Sequence, residues 1–432
     1  MLVSATGQTR ADLIVTGGKV AAVGELSPIG QVVDATGLLI MPGMVDTHVH
    51  LMDPGATERE DFPTGTRAAA AHGVTTILEH THSHPVRSAA DLTEKRQYLA
   101  GRSNVDFGLA AHVWPDTVEK IPELVEAGVS FFKIFTCDTH GVPGLDPGFL
   151  GAAMDALAAV DGRALIHNED QALTASAERR LKADGRSDPA LLNEWRSRDA
   201  EMVAVASTAV LALSSRANVT FAHVSNTDVL GVVDEYRRLG ADIAAEACPQ
   251  YFVLEESEVE HQGPFRKFTP PARITSEGDR ASMWEAVSAG RFSFFSTDHA
   301  PSTRDQKNEG DIWSAPFGLP GLDTTLPFLI DAALSGLVTM SDVVRLYSTR
   351  PAQQYRLPKG TLDVGADADV VIVDPTASWE VKGSDVLSKA GWSPYEGRTF
   401  AGKIVDTYLR GVRIASEGVP DDSRVGRFIR PG

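Results

Sequence analysis

From roughly Val45 to Pro351, short apolar runs alternate with helix-like segments, the texture of βα units that feed a parallel sheet. Eight runs have strand character: MVDTHVH, VTTILEH, VDFGLAA, VSFFKIF, RALIH, VTFAH, ADIAAEA and FSFFSTD. Each is followed by a helical or turn segment such as PTGTRAAAAHG or RASMWEAVSAG. Eight such units predict a closed (β/α)8 TIM-like barrel rather than an open sheet. The two ends of the chain read differently. LIVTGGKVAAVG and QVVDATGLLI near the start, and GTLDVGADADVVIVDP and GKIVDTYLRGVRIASEG near the end, are short strands punctuated by glycine turns with no room for a helix. β-rich ends flanking a βα middle predict one small composite β-sandwich made by both ends. The fold class is therefore α/β, with residues 1–44 and 352–432 in the sandwich and 45–351 in the barrel.

Composition narrows the function classes. A chain of 432 residues, 43% hydrophobic and 23% charged, can bury a barrel-sized core and shows no sign of disorder or fibrous repeat. Its formal net charge of −18 disfavours nucleic acid or an anionic membrane as a partner, because both would be repelled. The segment from Met1 to Ala11 lacks a basic stretch leading into an apolar run, and no apolar stretch approaches a bilayer span, so a cytoplasmic protein is expected. Cys137 and Cys248 are too few for a disulfide framework and are expected as reduced thiols.

Ionisable residues recur at the C-terminal ends of the strand candidates, where a barrel builds its active site and where a core-filling role is least expected. The first run ends in Asp46-Thr47-His48-Val49-His50. Alternate side chains of a strand share a face, so His48 and His50 can address one ion while Val49 packs the other way; alone, the pair reads equally well as two surface histidines. Lys133 lies within Phe131-Phe132-Lys133-Ile134-Phe135. Burial disfavours its ammonium form, leaving it neutral, paired or chemically altered, and a neutral amine can take up carbon dioxide as a carbamate able to bridge two cations. His167, His223 and Asp298 end three further runs. The ordered set, on strands one, four, five, six and eight, points to metal-dependent chemistry more strongly than any member does.

The blocks PGMVDTHVHLMDPG, FKIF, LIHNED, FAHVS, EACPQYF, KFTPPAR, STDHAPS, GLPGLD and SPYEGRTFAGKIV, spread over nearly the whole chain, resemble the amidohydrolase superfamily. The resemblance is to its cyclic amidohydrolase branch of allantoinase, hydantoinase/dihydropyrimidinase and dihydroorotase. It implies that His48 and His50 hold the more buried of two divalent cations with Asp298, that carboxylated Lys133 bridges the pair, and that His167 and His223 hold the second. It also implies hydrolysis of a cyclic amide or ureide, with Asp298 moving the proton, and assembly as a homotetramer or a dimer. Imidazole and carboxylate ligands favour Zn2+, while Mn2+, Co2+ or Fe2+ fit similar geometry.

Departures from the pattern bear on which ring is opened. Met52 stands where dihydroorotases carry an arginine for the substrate carboxylate, and Thr136-Cys137-Asp138-Thr139-His140 follows the lysine where hydantoinases place a tyrosine. The segments DPGATEREDFPTGTRAAAAHGVTTI, EACPQYFVLEE and KFTPPARI look closest to allantoinase. Gln250 replaces the histidine of many relatives, and Glu79-His80-Thr81-His82-Ser83-His84 matches nothing in the allantoinase pattern. Strand alternation puts His80, His82 and His84 on one face, as solvated loop residues or within reach of substrate or an extra ion. By family position Thr269 and the stretch Gly318, Pro320 and Gly321 line the substrate pocket. Relatives that serve as non-catalytic scaffolds lose metal ligands, whereas all six are present here.

Overall fold

A computed structural model describes residues 1–432. Eight parallel strands form the central barrel: β1 (Met44–Val49), β2 (Val74–Glu79), β3 (Asp106–Leu109, continued by Ala111–His112), β4 (Phe132–Phe135), β5 (Arg163–His167), β6 (Asn218–Phe221), β7 (Ile243–Ala247) and β8 (Phe294–Phe295). Neighbours pair in chain order. The ring closes where Val49 bridges His299 and His50 N–H donates to His299 O at 2.8 Å. The eight runs read from the sequence are these eight strands.

Period-two alternation sorts their side chains. Val45, Leu78, Ala110, Phe131, Leu165, Ala222, Ala244 and Phe294, one from each strand, form a single inward cluster sealed below by Tyr355 and Leu357. The intervening residues, Ile77, Ile134, Ile166 and Phe221 among them, face the surrounding helices. The helices start on local capping chemistry: Asp61, Ser88, Asp146 and Asn226 each accept backbone N–H groups of the first turn that the helix itself leaves unpaired. No helix is long and apolar enough to cross a membrane.

The chain ends share one seven-stranded sheet. Leu39–Pro42 lies between Leu2–Ser4 and Val370–Glu380, and Thr399–Leu409, Val412–Ser416 and Val419–Pro420 extend the sheet. The hairpin Asp12–Thr16/Lys19–Gly24 forms a second, two-stranded layer, its tight turn using Gly17 and Gly18 at φ 60° and 78°. Val20, Leu362, Ala368, Val370 and Ile372 fill the space between these pieces. Lys359 clamps the sheet to the barrel floor, with Nζ 2.6 Å from Asp106 and 2.8 Å from both Asp367 and Asp369. The last residues return to the barrel, where Phe107 N–H donates to Arg427 O and Ile429 N–H to Phe107 O.

Candidate metal centre

One residue-pair above the Phe131 layer, the inward positions change from apolar to ionisable. Leu78 is followed by His80, Ala110 by His112, Phe131 by Lys133, Leu165 by His167 and Ala244 by Glu246. Two strands break alternation to join them. The β1–β2 register slips between Asp46 and Val49, bringing His48 and His50 inward, and His223 follows inward Ala222 with φ at 38°. Asp298 is also in the left-handed region, at φ 50°. Such backbone is costly for a side chain with a Cβ and persists where surrounding structure enforces it.

The six residues singled out in the sequence converge. His48 Nε2 lies 3.3 Å from Lys133 Nζ and 3.1 Å from Asp298 Oδ1, while His50 Nε2 lies 3.4 Å from the same Oδ1. His167 Nδ1 is 2.9 Å from His223 Nε2. Donor atoms bound at zinc distances around a tetrahedral ion stand about 3.3 Å apart, so this spacing and donor set fit divalent cations. Three of the four histidines have their outward nitrogens tied down, while His223 Nδ1 has no partner. His48 Nδ1 meets Glu246 Oε2 at 2.8 Å, His50 Nδ1 donates to His80 O at 2.9 Å, and His167 Nε2 meets Glu169 Oε2 at 2.8 Å. Glu169 in turn accepts from Thr269 Oγ1 at 2.6 Å and Arg196 Nη1 at 3.2 Å.

Burial sets the protonation of the group. The imidazoles of His48, His50, His167 and His223 are pushed below their ordinary pKa, chiefly by desolvation, so their lone pairs are free near neutral pH. Lys133, 1% exposed, is pushed down for the same reason, against the pull of Asp298 and Glu246, which favours the reactive neutral amine. Asp46, at the root of the HxH segment, has another task. It accepts Tyr347 Oη at 2.7 Å and His48 N–H at 3.2 Å, and burial raises it to about 6.

A cleft opens over this group, lined by His50, Met52, Arg59, His82, His140, Thr269, Asp298 and Gly318, among others. At Gly318 an added Cβ would lie 2.3 Å from Ala300 O, so only glycine fits that wall. Pro320 and Gly321 are buried outside the lining, where Gly321 N–H donates to His299 Nδ1 at 3.0 Å. His84 is exposed, whereas His80 is 1% exposed and His82 half-buried, so the three do not share one environment. Cys137 and Cys248 are buried free thiols.

Several residues about this centre escaped the sequence reading. Glu169 and Glu246 lie within the quoted blocks LIHNED and EACPQYF, each at a position an inward neighbour two residues earlier would have flagged. His112 carries the same signal, two residues beyond Ala110. Arg59 and His140 come from loops, for which alternation gives no guide.

Comparison with known proteins agrees with this architecture. Residues 39–414 match the model of the Amidohydrolase family. The chain is 32% identical over 430 residues to an allantoinase of Rubrobacter xylanophilus, covering 98% of this chain and 94% of that one. It is 30% identical to an L-hydantoinase of Paenarthrobacter aurescens, covering 99% and 96% of the two chains. The solved L-hydantoinase (dihydropyrimidinase) from Arthrobacter aurescens superposes with a TM-score of 0.94 at 29% identity, covering 99% of this chain and 98% of that one. With a family model spanning most of its length and relatives matching it end to end, this chain belongs to the amidohydrolase family.

Proposed function

We propose that this chain hydrolyses the C–N bond of a cyclic ureide or amide, with an allantoin-like ring as its substrate, on two divalent cations. The observation that carries the reading is the convergence of His48, His50, Lys133, His167, His223 and Asp298 beneath a small-molecule cavity. His48, His50 and Asp298 would hold one cation, His167 and His223 the other, and Lys133 would bridge them. We infer that Lys133 does so as a carbamate: its neutral amine forms an N–C bond to carbon dioxide and releases a proton. Bound there, the cations would acidify a water molecule and polarise the ring carbonyl, and Zn2+ suits the donor set best.

The chain's own residues supply the proton path and the fit. Asp298 faces the cavity and takes the proton from the attacking water as its oxygen bonds to the carbonyl carbon. It returns that proton to the ring nitrogen when the C–N bond breaks. Thr269 and the backbone at Gly318 form the opposing wall. Met52 contributes no charge, and Arg59 spends Nε on Pro301 O and Ser302 Oγ and Nη2 on Phe317 O, which favours an uncharged ring over one bearing a carboxylate. The allantoinase relatives support the same ranking. We place the protein in the cytoplasm as a homotetramer or a dimer; fractionation and light scattering read both directly.

The test is a panel of allantoin, hydantoin, dihydrouracil, dihydroorotate and simple cyclic imides assayed on metal-loaded protein and on Asp298→Asn. Allantoin is expected to turn over best, and Asp298→Asn to lose about 10²–10⁴-fold. Turnover of dihydroorotate alone would reverse the substrate ranking. Metal content well below one ion per chain, with Asp298→Asn unchanged on every substrate, would make the chain a scaffold rather than an enzyme.

A further inference from the structure

Histidines on the β2 and β3 side of the barrel mouth have no part in the two-cation set. His80 and His112 are each 1% exposed, and neither ring nitrogen of either residue has a hydrogen-bond partner; Nδ1 of His82 has none either. Buried imidazoles without partners are unfavourable and uncommon, and here they occur together. One nitrogen from each of His80, His82 and His112 lies within 4.8 Å of the other two. Their ring centroids are 5.7, 6.1 and 5.4 Å apart, so three rings surround a common point rather than stacking.

The surroundings select the occupant. Glu79, next to His80 in sequence, is committed to Lys95 Nζ at 2.7 Å, so it does not pair with these rings. A cluster of imidazoles with no acid among them is poorly suited to holding protons, because each charge would repel the next. It is well suited to a borderline cation that takes neutral nitrogen ligands. His140 stacks on His82 at 4.9 Å with the ring planes 6° apart, holding that ring in place at the cavity edge.

We propose that His80, His82 and His112 form a third cation site for a zinc-class divalent ion, with the remaining coordination position turned toward the substrate cavity that His82 also lines. Three histidines with one open position is the ligand count of a reactive rather than a purely structural zinc site. The site stands on residues separate from the six of the two-cation set. His80 also lies within reach of His48 and His50, and the His82 ring stands 4.4 Å from that of His50, so substitutions at His80 would confound the two and His112→Gln is the cleaner of the two variants used.

The experiment counts ions. Wild-type protein, His82→Gln, His112→Gln and Lys133→Ala are each equilibrated with excess Zn2+, gel-filtered and measured by inductively coupled plasma mass spectrometry. Parallel Co2+ titrations follow the d–d absorption, and melting curves confirm folding. His82 is half-buried beside the cavity, so its substitution does not disturb the core. The expected counts are three ions per chain for wild type and two for each histidine variant, with the Co2+ band of one equivalent missing. Lys133→Ala should keep one ion, the third. Equal counts in wild type and both histidine variants would overturn the proposal, as would loss of every ion from His112→Gln. A Lys133→Ala protein that keeps the wild-type count would instead sink the two-cation reading and leave the third site standing.

Discussion

Two sides of one barrel mouth use histidine in opposite ways. On the β1 and β5 side, His48, His50 and His167 each have an outer partner: Glu246 at 2.8 Å, the His80 carbonyl at 2.9 Å and Glu169 at 2.8 Å. On the β2 and β3 side, His80 and His112 have none. An outer hydrogen bond fixes which nitrogen carries the proton and aims the other lone pair inward. The first side is thus oriented before any ion arrives, whereas the second can gain order only from what binds to it. Preorganisation is built from carboxylates and carbonyls behind the histidines, not from the histidines themselves.

The comparison breaks most severely at Lys133, the hinge between the two cations proposed for the ordered side. Lys133→Ala is expected to empty that pair and bring turnover to the background rate. Acetate or propionate at high concentration should partly restore both, by supplying the missing carboxylate bridge. Metal analysis with and without the added acid checks this, and full activity in Lys133→Ala without additive would contradict the bridging role. A smaller effect comes from the outer partners. Glu246→Gln keeps the shape but exchanges a carboxylate for an amide behind His48, and should weaken metal affinity by about 10–100-fold in a chelator competition.

How much of this could be read from the sequence follows the same division. The eight strands were legible because each is a short apolar run bounded by helix-like or turn segments; HxH, His167, His223 and Asp298 were legible because they end such runs, and Lys133 because it sits among apolar residues inside one. The pairing of both chain ends into one sheet followed from two glycine-punctuated β textures, although the sheet order, with Leu39–Pro42 between Leu2–Ser4 and Val370–Glu380, carries no sequence signal. Glu246 and His112 were within reach of the alternation argument, but a single ionisable residue on a strand has too many ordinary roles to stand out. His84 misled in the other direction. The chain leaves β2 after Glu79, so alternation no longer governs which way His84 points.

A third prediction turns the contrast into thermal stability. His112 is buried with two unpartnered nitrogens, a desolvation cost of about 1–3 kcal/mol that an apolar side chain of similar size avoids. In metal-free protein, His112→Leu should therefore raise Tm by roughly 1–3 °C. With Zn2+ present the order should reverse, because only the wild type gains the stabilisation of a bound ion. Scanning calorimetry of both proteins, with chelator and with Zn2+, measures the crossing. A variant less stable than wild type in chelator would mean that the His112 ring is satisfied in the folded chain.

The smallest expected effect probes the ordered side by pH. Glu201 is buried behind the His223 strand end, accepts Ser225 N–H at 3.1 Å, and is raised by burial from 4.5 to about 7 despite the opposing charge of Arg273. Between those values the folded chain holds a proton that the unfolded chain has lost. Its contribution to stability is therefore complete below about pH 4.5 and declines as pH rises toward 7, by at most about 1.4 kcal/mol per pH unit. Glu201→Gln keeps a neutral hydrogen-bonding group at every pH, so the decline in Tm from pH 5 to 7, on the order of 1 °C per unit, should flatten in that variant. His112→Leu, on the side that lacks carboxylate partners, should leave the same slope in place. If the two variants changed the slope equally, the two sides of the mouth would be electrostatically one unit, and the division drawn between them would fail.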